Sequence, residues 1–333
     1  MPKIKHVSVV VLNYNGKKVL KNCLGSLLKQ NYNNYELIVA DNNSTDGSAE
    51  FIQKNFPKVK IVANKENIGI PGLNKGIEKA KGEYIITVGN DTKFDRNFIK
   101  EMVNVAGIDK KIGMVSPKIY YFDEKVDTLG LRVFKSGLTK DVKNEKDRDK
   151  IFCPSGCAEL FRRDALGSLK PREYFDNDFF CYADDFDIGF RIILNGWKFA
   201  YAPKAVAYHM HGTTMSKNMD RSIYLGDRNR VLTIVKDFPT GFLVKNLHWI
   251  LLLQLATIVK YALKGKFFLI LKSKIDALGG FGKMLQKRKI IQRNKKISGK
   301  ELDKLIKGVK MIAARKWSGS YVYDKGSYKI KIK

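Results

Sequence analysis

Cysteine, proline and acidic residues are scarce in this 333-residue chain, and each scarcity excludes a class of protein. Four Cys and eight Pro are too few for a disulfide-stapled scaffold or for a collagen-like or linker-like chain. Asp and Glu number 33 against 62 Lys and Arg, so the formal net charge is +29. A hydrophobic content of 44% excludes a largely disordered chain in spite of that charge. The charge itself favours a polyanionic partner: nucleic acid, an anionic membrane surface or a phosphorylated substrate.

Several short motifs are absent as well. There is no G-K-[ST] phosphate-binding loop, and Cys153 and Cys157 form a lone C-x3-C with no second pair at zinc spacing, so we expect four reduced thiols. No zinc-finger, RRM-like or basic-zipper pattern occurs, which makes a nucleic-acid-binding protein the weaker alternative. Residues 1–6 lead into no signal-peptide core, so we expect the chain to stay on the cytoplasmic side.

The positive charge is concentrated near the C-terminus. Residues 264–333 hold 21 Lys or Arg and four Asp or Glu, a net +17. The apolar stretch 247–263 is interrupted by His248, Gln254 and Lys260 and is short of the ~20 apolar residues of a membrane span. Apolar residues beside dense Lys favour helices that lie peripherally on an anionic leaflet. A helical appendage packed on the rest of the protein and a true span are the alternatives.

The N-terminal part alternates buried strands with helices. Continuous apolar, β-branched runs predict strands at 7–12, 35–40, 59–63 and 84–88, and helical periodicity predicts helices between them. This alternation indicates an α/β fold with a parallel, doubly wound sheet. Polar loops follow three of the strands, and ligands bind such sheets beyond the carboxyl ends of the strands. We therefore expect one ligand site at that edge.

Six segments in this order resemble the family 2 glycosyltransferases. They are VVVLNYNG (9–16), IVADNNSTDGS (38–48), NIGIPGLNKG (67–76), GEYIITVGNDT (82–92), YADDFDIGFRI (182–192) and HMHG (209–212). The resemblance covers about residues 6–240 and is greatest to the rhamnosyltransferase-like branch. It implies a GT-A fold, which is Rossmann-like with a mostly parallel sheet flanked by helices. We predict a catalytic domain over 1–240 and a basic, partly hydrophobic helical region over 241–333, which we expect to associate with the membrane.

The resemblance implies a nucleotide-sugar pocket on the donor side. A carboxylate at Asp41 can accept the imide N–H of uracil or thymine, whereas Asp46 is a candidate helix cap. The loop at Asn13 and Asn15 also has the composition of an ordinary strand-to-helix turn. The residues expected to bind the donor are Asn13, Asn15, Asp41, Asn67, Gly69, Asn74, Asn90 and Arg191.

The resemblance also implies a divalent metal, Mg²⁺ or Mn²⁺, held by Asp91 and by His209 or His211. The family usually has D-x-D or N-x-D where this chain has Gly89-Asn90-Asp91, so one side-chain ligand is missing. This departure keeps open a catalytically inactive, membrane-associated scaffold of the same fold.

A cluster of carboxylates, Asp184, Asp185 and Asp187, is the expected catalytic set. It matches the family pattern [ED]-D-x-D-L-x-x-R with Ile188 in place of Leu and with Arg191 retained. Crowded carboxylates have raised pKa values, which suits a base that deprotonates an attacking hydroxyl. The family's base corresponds to Asp185, and Asp184 or Asp187 would contact hydroxyl groups. The alternative is a set of acids that caps a helix N-terminus.

These assignments predict an inverting, metal-dependent glycosyltransferase. It would move a sugar from a UDP- or dTDP-sugar to a hydroxyl of a glycan acceptor, with lipid-linked acceptors among the candidates, in the synthesis of cell-surface polysaccharide or glycoconjugate. It would act at the cytoplasmic face of an anionic membrane and would bind no nucleic acid. A protein or a small lipid as acceptor is the variant of this hypothesis that the sequence leaves open.

Overall fold

The structure is a computed structural model that describes residues 4–210, 219–307, 321–324 and 327–330. The strands are β1 (Val7–Asn13), β2 (Tyr35–Asp41), β3 (Lys60–Ala63), β4 (Tyr84–Gly89), β5 (Thr92–Phe94), β6 (Ile112–Tyr121), β7 (Val126–Thr128), β8 (Leu131–Val133), β9 (Thr139–Asp141), β10 (Ala158–Arg162), β11 (Lys198–His209), β12 (Tyr321–Asp324) and β13 (Ser327–Ile330). The α-helices are α1 (Lys17–Leu27), α2 (Ser48–Asn55), α3 (Leu73–Lys79), α4 (Phe98–Gly107), α5 (Arg163–Gly167), α6 (Asp184–Leu194), α7 (Met219–Asp237), α8 (Thr240–Lys245), α9 (Leu247–Ala262), α10 (Phe267–Asn294) and α11 (Gly299–Lys307). Short 3-10 helices occupy Ile70–Gly72 and Glu145–Lys150.

The main sheet has the strand order β13-β12-β11-β6-β10-β4-β1-β2-β3. Its β4-β1-β2-β3 half is parallel throughout, as the alternating pattern predicts. Strand β10 runs antiparallel to both of its neighbours, β4 and β6, so the whole sheet is mixed. The predicted α/β fold with flanking helices is confirmed.

The sequence forms these strands because helices cover both faces of the sheet. Along β1, Val9 and Val11 point into one core while Val10 points into the other, which is the period-two alternation of a strand. Helix α1 meets the first core with Leu20 and Leu24, part of an apolar stripe at helical spacing. Strand ends, rather than strand faces, are therefore what remains for ligand contact.

The C-terminal helices are packed on this body. Helix α10 buries Ala277 and Met284 against Leu232 of α7. Helix α9 differs, because most of its side chains are exposed and Ile250 and Thr257 are its buried ones. In the part of the chain that the structure describes, no helix combines the length and the apolarity that crossing a membrane requires.

Two strands close to the C-terminus extend the sheet beyond what we expected. Strands β12 and β13 pair with each other as an antiparallel hairpin, and β12 pairs with β11 through Tyr321 opposite Tyr201 and Val322 opposite Ala200. Charge alone suggested helices throughout residues 241–333, although the alternating YVYD and SYKI segments around a Lys-Gly pair have the pattern of a hairpin.

Candidate active site

The ends of three parallel strands meet at one edge of the sheet. In the register of the sheet, Asn13 lies beside Asp41 and Leu12 beside Gly89, so the loops after β1, β2 and β4 start at the same level. The Asn13 amide donates to Asp41 Oδ1 over 2.7 Å, and the Asn90 amide donates to Asn13 Oδ1 over 2.7 Å. The polar loops therefore converge as predicted and form one buried network.

A cavity of about 790 Å³ opens above this network. Its volume lies in the range of small-molecule and cofactor sites. The predicted site residues that line it are Asn67, Gly69, Asn90, Asp91, Asp184, Asp185 and His209. The cavity brings together donor-side, metal and base candidates that are up to about half the chain apart in sequence. His211 lies outside the described residues.

Asn13, Asn15 and Asp41 are not among the residues that line the cavity, and Asn13 and Asp41 are buried whereas Asn15 is exposed. The buried Asp41 carboxylate accepts hydrogen bonds from the Ser44 backbone N–H over 2.9 Å and from the Ser44 hydroxyl over 2.7 Å. The Asn15 side chain accepts from the Thr45 N–H over 2.8 Å. These bonds shape the loop after β2, and recognition of a base by Asp41 stays a prediction.

Asp46 caps two helices. Its carboxylate accepts from the Lys17 N–H over 2.9 Å in the first turn of α1 and from the Ser48 N–H over 3.0 Å at the start of α2. Accepting from N–H groups that have no partner within their helix is the capping role that its position suggested.

Asn74, Asp187 and Arg191 are not among the residues that line the cavity, and their contact with ligands stays a prediction. The Asn74 amide donates to the Phe175 carbonyl over 2.7 Å and accepts from the Phe175 N–H over 2.8 Å. Arg191 and Asp187 form a buried ion pair with 2.6 Å between Nη2 and Oδ2. Because their polar atoms are bonded inside the protein, these side chains hold the fold around the site.

That buried pair belongs to a larger ionic network, which also includes Asp176, Lys236 and Lys287 and extends through Lys287 to Glu173 and Asp178. Lys236 is ion-paired with both Asp187 and Asp176, and Lys287 Nζ lies 2.5 Å from Asp176 Oδ1. Burial opposes ionisation of Asp187, but the Arg191 and Lys236 charges outweigh it and lower its pKa. The network links helices α6, α7 and α10.

Asp91, His209 and Asp127 form a chain of polar contacts at the cavity. His209 Nε2 lies 3.5 Å from Asp91 Oδ1, and His209 Nδ1 lies 3.4 Å from Asp127 Oδ2. Burial of the imidazole opposes protonation, but its bonds to Asp127 and Asp91 outweigh burial and raise the His209 pKa to about 9. Asp127 was not identified from the sequence, because it lies on β7 in no recognisable motif and 82 residues before its partner His209.

A carboxylate and an imidazole facing one cavity suit a hard divalent cation, so the residues present fit the metal that the resemblance implies. Among the residues that the structure describes, no three His, Cys, Asp or Glu side chains are grouped closely enough to hold a metal by themselves. Ligands from the donor diphosphate would therefore have to complete the coordination.

The surroundings of position 89 give a steric explanation for the glycine there. A Cβ added to it would lie 2.9 Å from Asp91 Oδ1, closer than Cβ atoms come in real structures. The departure from the family's D-x-D pattern thus leaves room for the Asp91 carboxylate, which itself lines the cavity.

Asp184 and Asp185 begin helix α6 and face the cavity. Asp185 Oδ2 accepts from the Gly156 N–H over 3.2 Å. Burial raises the pKa of both carboxyl groups, and the charge of Asp185 raises the pKa of Asp184 further. Backbone N–H groups oppose this rise at both side chains, and at Asp185 they are those of Gly156 and Phe186.

The backbone before this acidic pair is strained and firmly held. Tyr182 and Ala183 have φ of 68° and 61°, which non-glycine residues rarely adopt. The buried Asn229 amide donates to the carbonyls of Cys181 and Tyr182 over 2.8 and 2.9 Å. Tyr182 Oη also lies 2.6 Å from Ser222 Oγ. Asn229 positions the acidic pair from α7, and nothing in its sequence surroundings indicates this.

The donor-side loop touches the segment that carries the acids. The Ile70 N–H donates to the Phe180 carbonyl over 2.8 Å, and a Cβ on Gly69 would lie 1.8 Å from that oxygen. Gly69 also has a φ of 73°, so both its space and its conformation require glycine.

Comparisons with known proteins find similarity to glycosyltransferases. Residues 8–169, just under half of the chain, match the family model described as Glycosyl transferase family 2. A relative in Methanococcus voltae is 23% identical over 71% of this chain and 78% of its own length. It is described as a "dolichyl N-acetyl-alpha-D-glucosaminyl phosphate 3-beta-D-2,3-diacetamido-2,3-dideoxy-beta-D-glucuronosyltransferase". A poly(ribitol-phosphate) beta-glucosyltransferase of Bacillus spizizenii is 32% identical over 41% of this chain, which is 26% of that protein.

Solved structures show the same fold. The mannosyltransferase PcManGT of Pyrobaculum calidifontis, solved with GDP-Man and Mn²⁺, has a TM-score of 0.54 and 19% identity over 84% of this chain and 76% of its own. TarS of S. aureus, solved with UDP, has a TM-score of 0.52 and 18% identity over 74% and 69% of the two chains. The predicted GT-A fold is confirmed.

Proposed function

We propose that this protein is an inverting, metal-dependent glycosyltransferase that uses a UDP- or dTDP-sugar and a lipid-linked glycan acceptor. One observation carries the proposal: the Asp185 carboxylate and the Asp91 and His209 pair line the same cavity. A base for the acceptor hydroxyl and a place for the donor diphosphate are the two requirements of direct sugar transfer.

Asp184 and Asp185 have different protonation roles in the proposed reaction. The acceptor oxygen attacks the anomeric carbon, the bond from that carbon to the diphosphate breaks, and the hydroxyl proton passes to Asp185. Asp184 retains a proton at neutral pH because it is buried beside a second carboxylate. The N–H groups of Gly156 and Phe186 keep Asp185 ionised and oriented before the transfer. A single displacement of this kind inverts the anomeric configuration.

Asp91 and His209 would hold the metal, and Asp127 would orient the His209 ring from behind. A bound Mg²⁺ or Mn²⁺ supplies neutralisation of the charge that develops on the departing diphosphate. The Asn67 and Gly69 loop and Asn90 lie along the same wall and would contact the donor.

The choice of substrates rests on the relatives. The Methanococcus voltae relative acts, by its name, on a dolichyl-phosphate-linked sugar, which supports a polyprenyl-phosphate-linked acceptor here. TarS with UDP supports a uridine nucleotide, whereas GDP-Man in PcManGT makes a guanine nucleotide the contrast to test. A rhamnosyl donor, as the resemblance to the rhamnosyltransferase-like branch suggests, would bring dTDP instead of UDP.

The surface of residues 240–275, which we name the apolar-lysine surface, supports docking on an anionic leaflet. It contains six Lys and no Asp or Glu. Its exposed apolar side chains include Trp249, Leu255 and Leu263, which are 52%, 60% and 84% exposed. Apolar contact with lipid and attraction to anionic headgroups act together on such a surface. We propose that the protein binds the cytoplasmic face of the membrane peripherally through it.

The test measures binding and transfer separately. UDP, dTDP and GDP are titrated with Mn²⁺ by calorimetry, and UDP- and dTDP-sugars are then assayed for transfer and for slow hydrolysis. We expect Asp185→Asn to bind nucleotide as the wild type does and to lose at least about a hundredfold in turnover. Asp276→Asn, a change of the same kind on exposed α10, is the matched control. No binding of UDP or dTDP would refute the function, normal turnover by Asp185→Asn would refute the base, and binding without any turnover would favour the inactive scaffold.

A further inference from the structure

The cavity continues beyond the acidic pair into a groove between two helices. Its far end is lined by Ile223, Gly226 and Arg230 of α7 and by Leu253, Ala256 and Lys260 of α9. In each helix these three residues are spaced i, i+3 and i+7, so each set lies on one face. The same end is also lined by Asp227 and by the hydroxyl-bearing side chains of Ser222, Thr257 and Tyr261, so it combines apolar side chains with two cations and one carboxylate.

The two cations differ in their surroundings. Arg230 Nη2 donates to Asp227 Oδ1 over 2.5 Å, and its buried Nε has no hydrogen-bond partner within the described chain. The same Asp227 also lies 2.8 Å from Lys274 Nζ and accepts from Ser273, so its charge is shared. Lys260 is exposed, and no Asp or Glu of the described residues lies within ion-pair distance of it. This end of the cavity therefore has a positive excess suited to a phosphate.

The groove opens onto the apolar-lysine surface. Helix α9 contributes Ala256 and Lys260 to the groove and exposes Leu252, Leu255 and Val259 next to them. A ligand with an anionic head and a long apolar tail would meet cations inside the groove and apolar side chains at its mouth.

We propose that the α7-α9 groove is the acceptor-lipid subsite, which takes the phosphate of an isoprenoid phosphate between Arg230 and Lys260 and leads its chain out over α9. This inference rests on the proposed function, because it assigns the acceptor of the same reaction. It requires that the sugar-bearing end of the acceptor point toward Asp185, which lines the same cavity. The subsite binds head and tail by separate contacts, so a ligand lacking either one should bind less tightly.

The experiment uses the full chain and four probes: farnesyl phosphate, farnesol, inorganic phosphate and dihexanoyl phosphatidic acid. Binding is measured by calorimetry below the micelle concentration of each probe. We expect farnesyl phosphate to bind at least about tenfold more tightly than the other three. If phosphatidic acid binds as tightly as farnesyl phosphate, the inference is overturned in favour of a general site for anionic lipid headgroups. If farnesol binds as tightly as farnesyl phosphate, the phosphate makes no favourable contact and the inference is overturned as well.

Two pairs of variants locate the subsite. Lys260→Glu should weaken farnesyl phosphate at least about tenfold, while Lys264→Glu, with the same charge change one turn away and outside the groove, should change it less than about twofold. Ala256→Trp should block the groove, whereas Ala262→Trp at an exposed position on the same helix should leave binding unchanged. Equal effects within either pair would overturn the assignment.

The binding of UDP with Mn²⁺, measured on the same samples, separates the two proposals. Binding of UDP without binding of farnesyl phosphate would refute the subsite and leave the glycosyltransferase proposal standing. If the wild-type protein does not bind UDP, the proposed function is refuted, whether or not the protein binds farnesyl phosphate.

Discussion

Replacement of Lys236 by Met tests how much the ionic network contributes to the stability of the fold around α6, the helix that begins with Asp184 and Asp185. Lys236 is 2% exposed and is paired with Asp187 and Asp176, which are 0% and 1% exposed. Removing one member of a buried ion pair costs about 3–5 kcal/mol, because the remaining charge stays in a medium of low polarity. Arg191 and Lys287 still accompany the two carboxylates, so we expect the lower end, about 3 kcal/mol.

The assay is urea unfolding followed by tryptophan fluorescence, with the free energy of unfolding taken from the midpoint and slope. Lys283→Met is the matched control, since Lys283 is 62% exposed and pairs with Asp178 on the surface. An exposed pair contributes about 0–1 kcal/mol, so the control should stay within that range. A cycle with Asp187→Asn should show coupling of about 1 kcal/mol or more, because the two side chains are in contact.

One result would refute the reasoning outright. If Lys236→Met costs no more than Lys283→Met, the buried pairs do not stabilise the fold beyond what surface pairs do. Helix α10 would then be held to α7 by apolar packing at Ala277 and Met284 and by hydrogen bonds such as those that Arg288 donates to the carbonyls of Val235 and Phe238.

The remaining predictions concern the carboxylates and the glycine beside the metal candidates. Transfer should fall on acidification with an apparent pKa above the ordinary Asp value of about 4, because burial raises the pKa of the Asp185 base that must be ionised; a pH-rate profile checks this. Asp184→Asn should raise the melting temperature, and the gain should grow from about pH 4 to pH 8. The reason is that the pKa of Asp184 is higher in the folded protein than in the unfolded chain, so the wild-type protein becomes less stable as the pH rises above the unfolded value. A gain independent of pH would contradict that cause. Gly89→Ala should weaken UDP binding in Mn²⁺ about tenfold by displacing Asp91, while Gly107→Ala, with open space around it, should leave binding unchanged in the same titration.

The parts of the site that follow from local sequence could be predicted. The runs at β1, β2 and β4 are apolar and β-branched, and the loops after them are rich in Asn, Asp and Gly, so strand ends and their convergence follow from short-range patterns. Asp91, Asp184 and Asp185 come directly after such patterns or begin a helix. Their place at the cavity needs only the topology of the sheet.

The direction of a side chain at a helix start could not be predicted in the same way. Asp187 and Arg191 are four residues apart, which fits a ligand-binding pattern and an intrahelical ion pair equally well. Packing decided between them, because Lys236 of α7 lies against the same carboxylate. Tertiary contacts also bring Asp127 to His209 and Asn229 to Cys181. Contacts between residues so far apart in the chain produce no periodic pattern in the sequence.

The hairpin of β12 and β13 has a consequence for the way this chain is made. The far end of β11, residues 207–209, pairs with β5 earlier in the chain, whereas residues 200–201 find their outer partners, 321–322, only about 120 residues later. During synthesis the chain leaves the ribosome from its N-terminus, so the part of the sheet edge at residues 200–201 has no outer partner until residues 321–322 have been made. Pairing over such a distance is slow, and the exposed edge is a place where nascent chains can associate. Ribosome pausing between β11 and residue 321 would therefore lengthen the time during which this edge is open to aggregation.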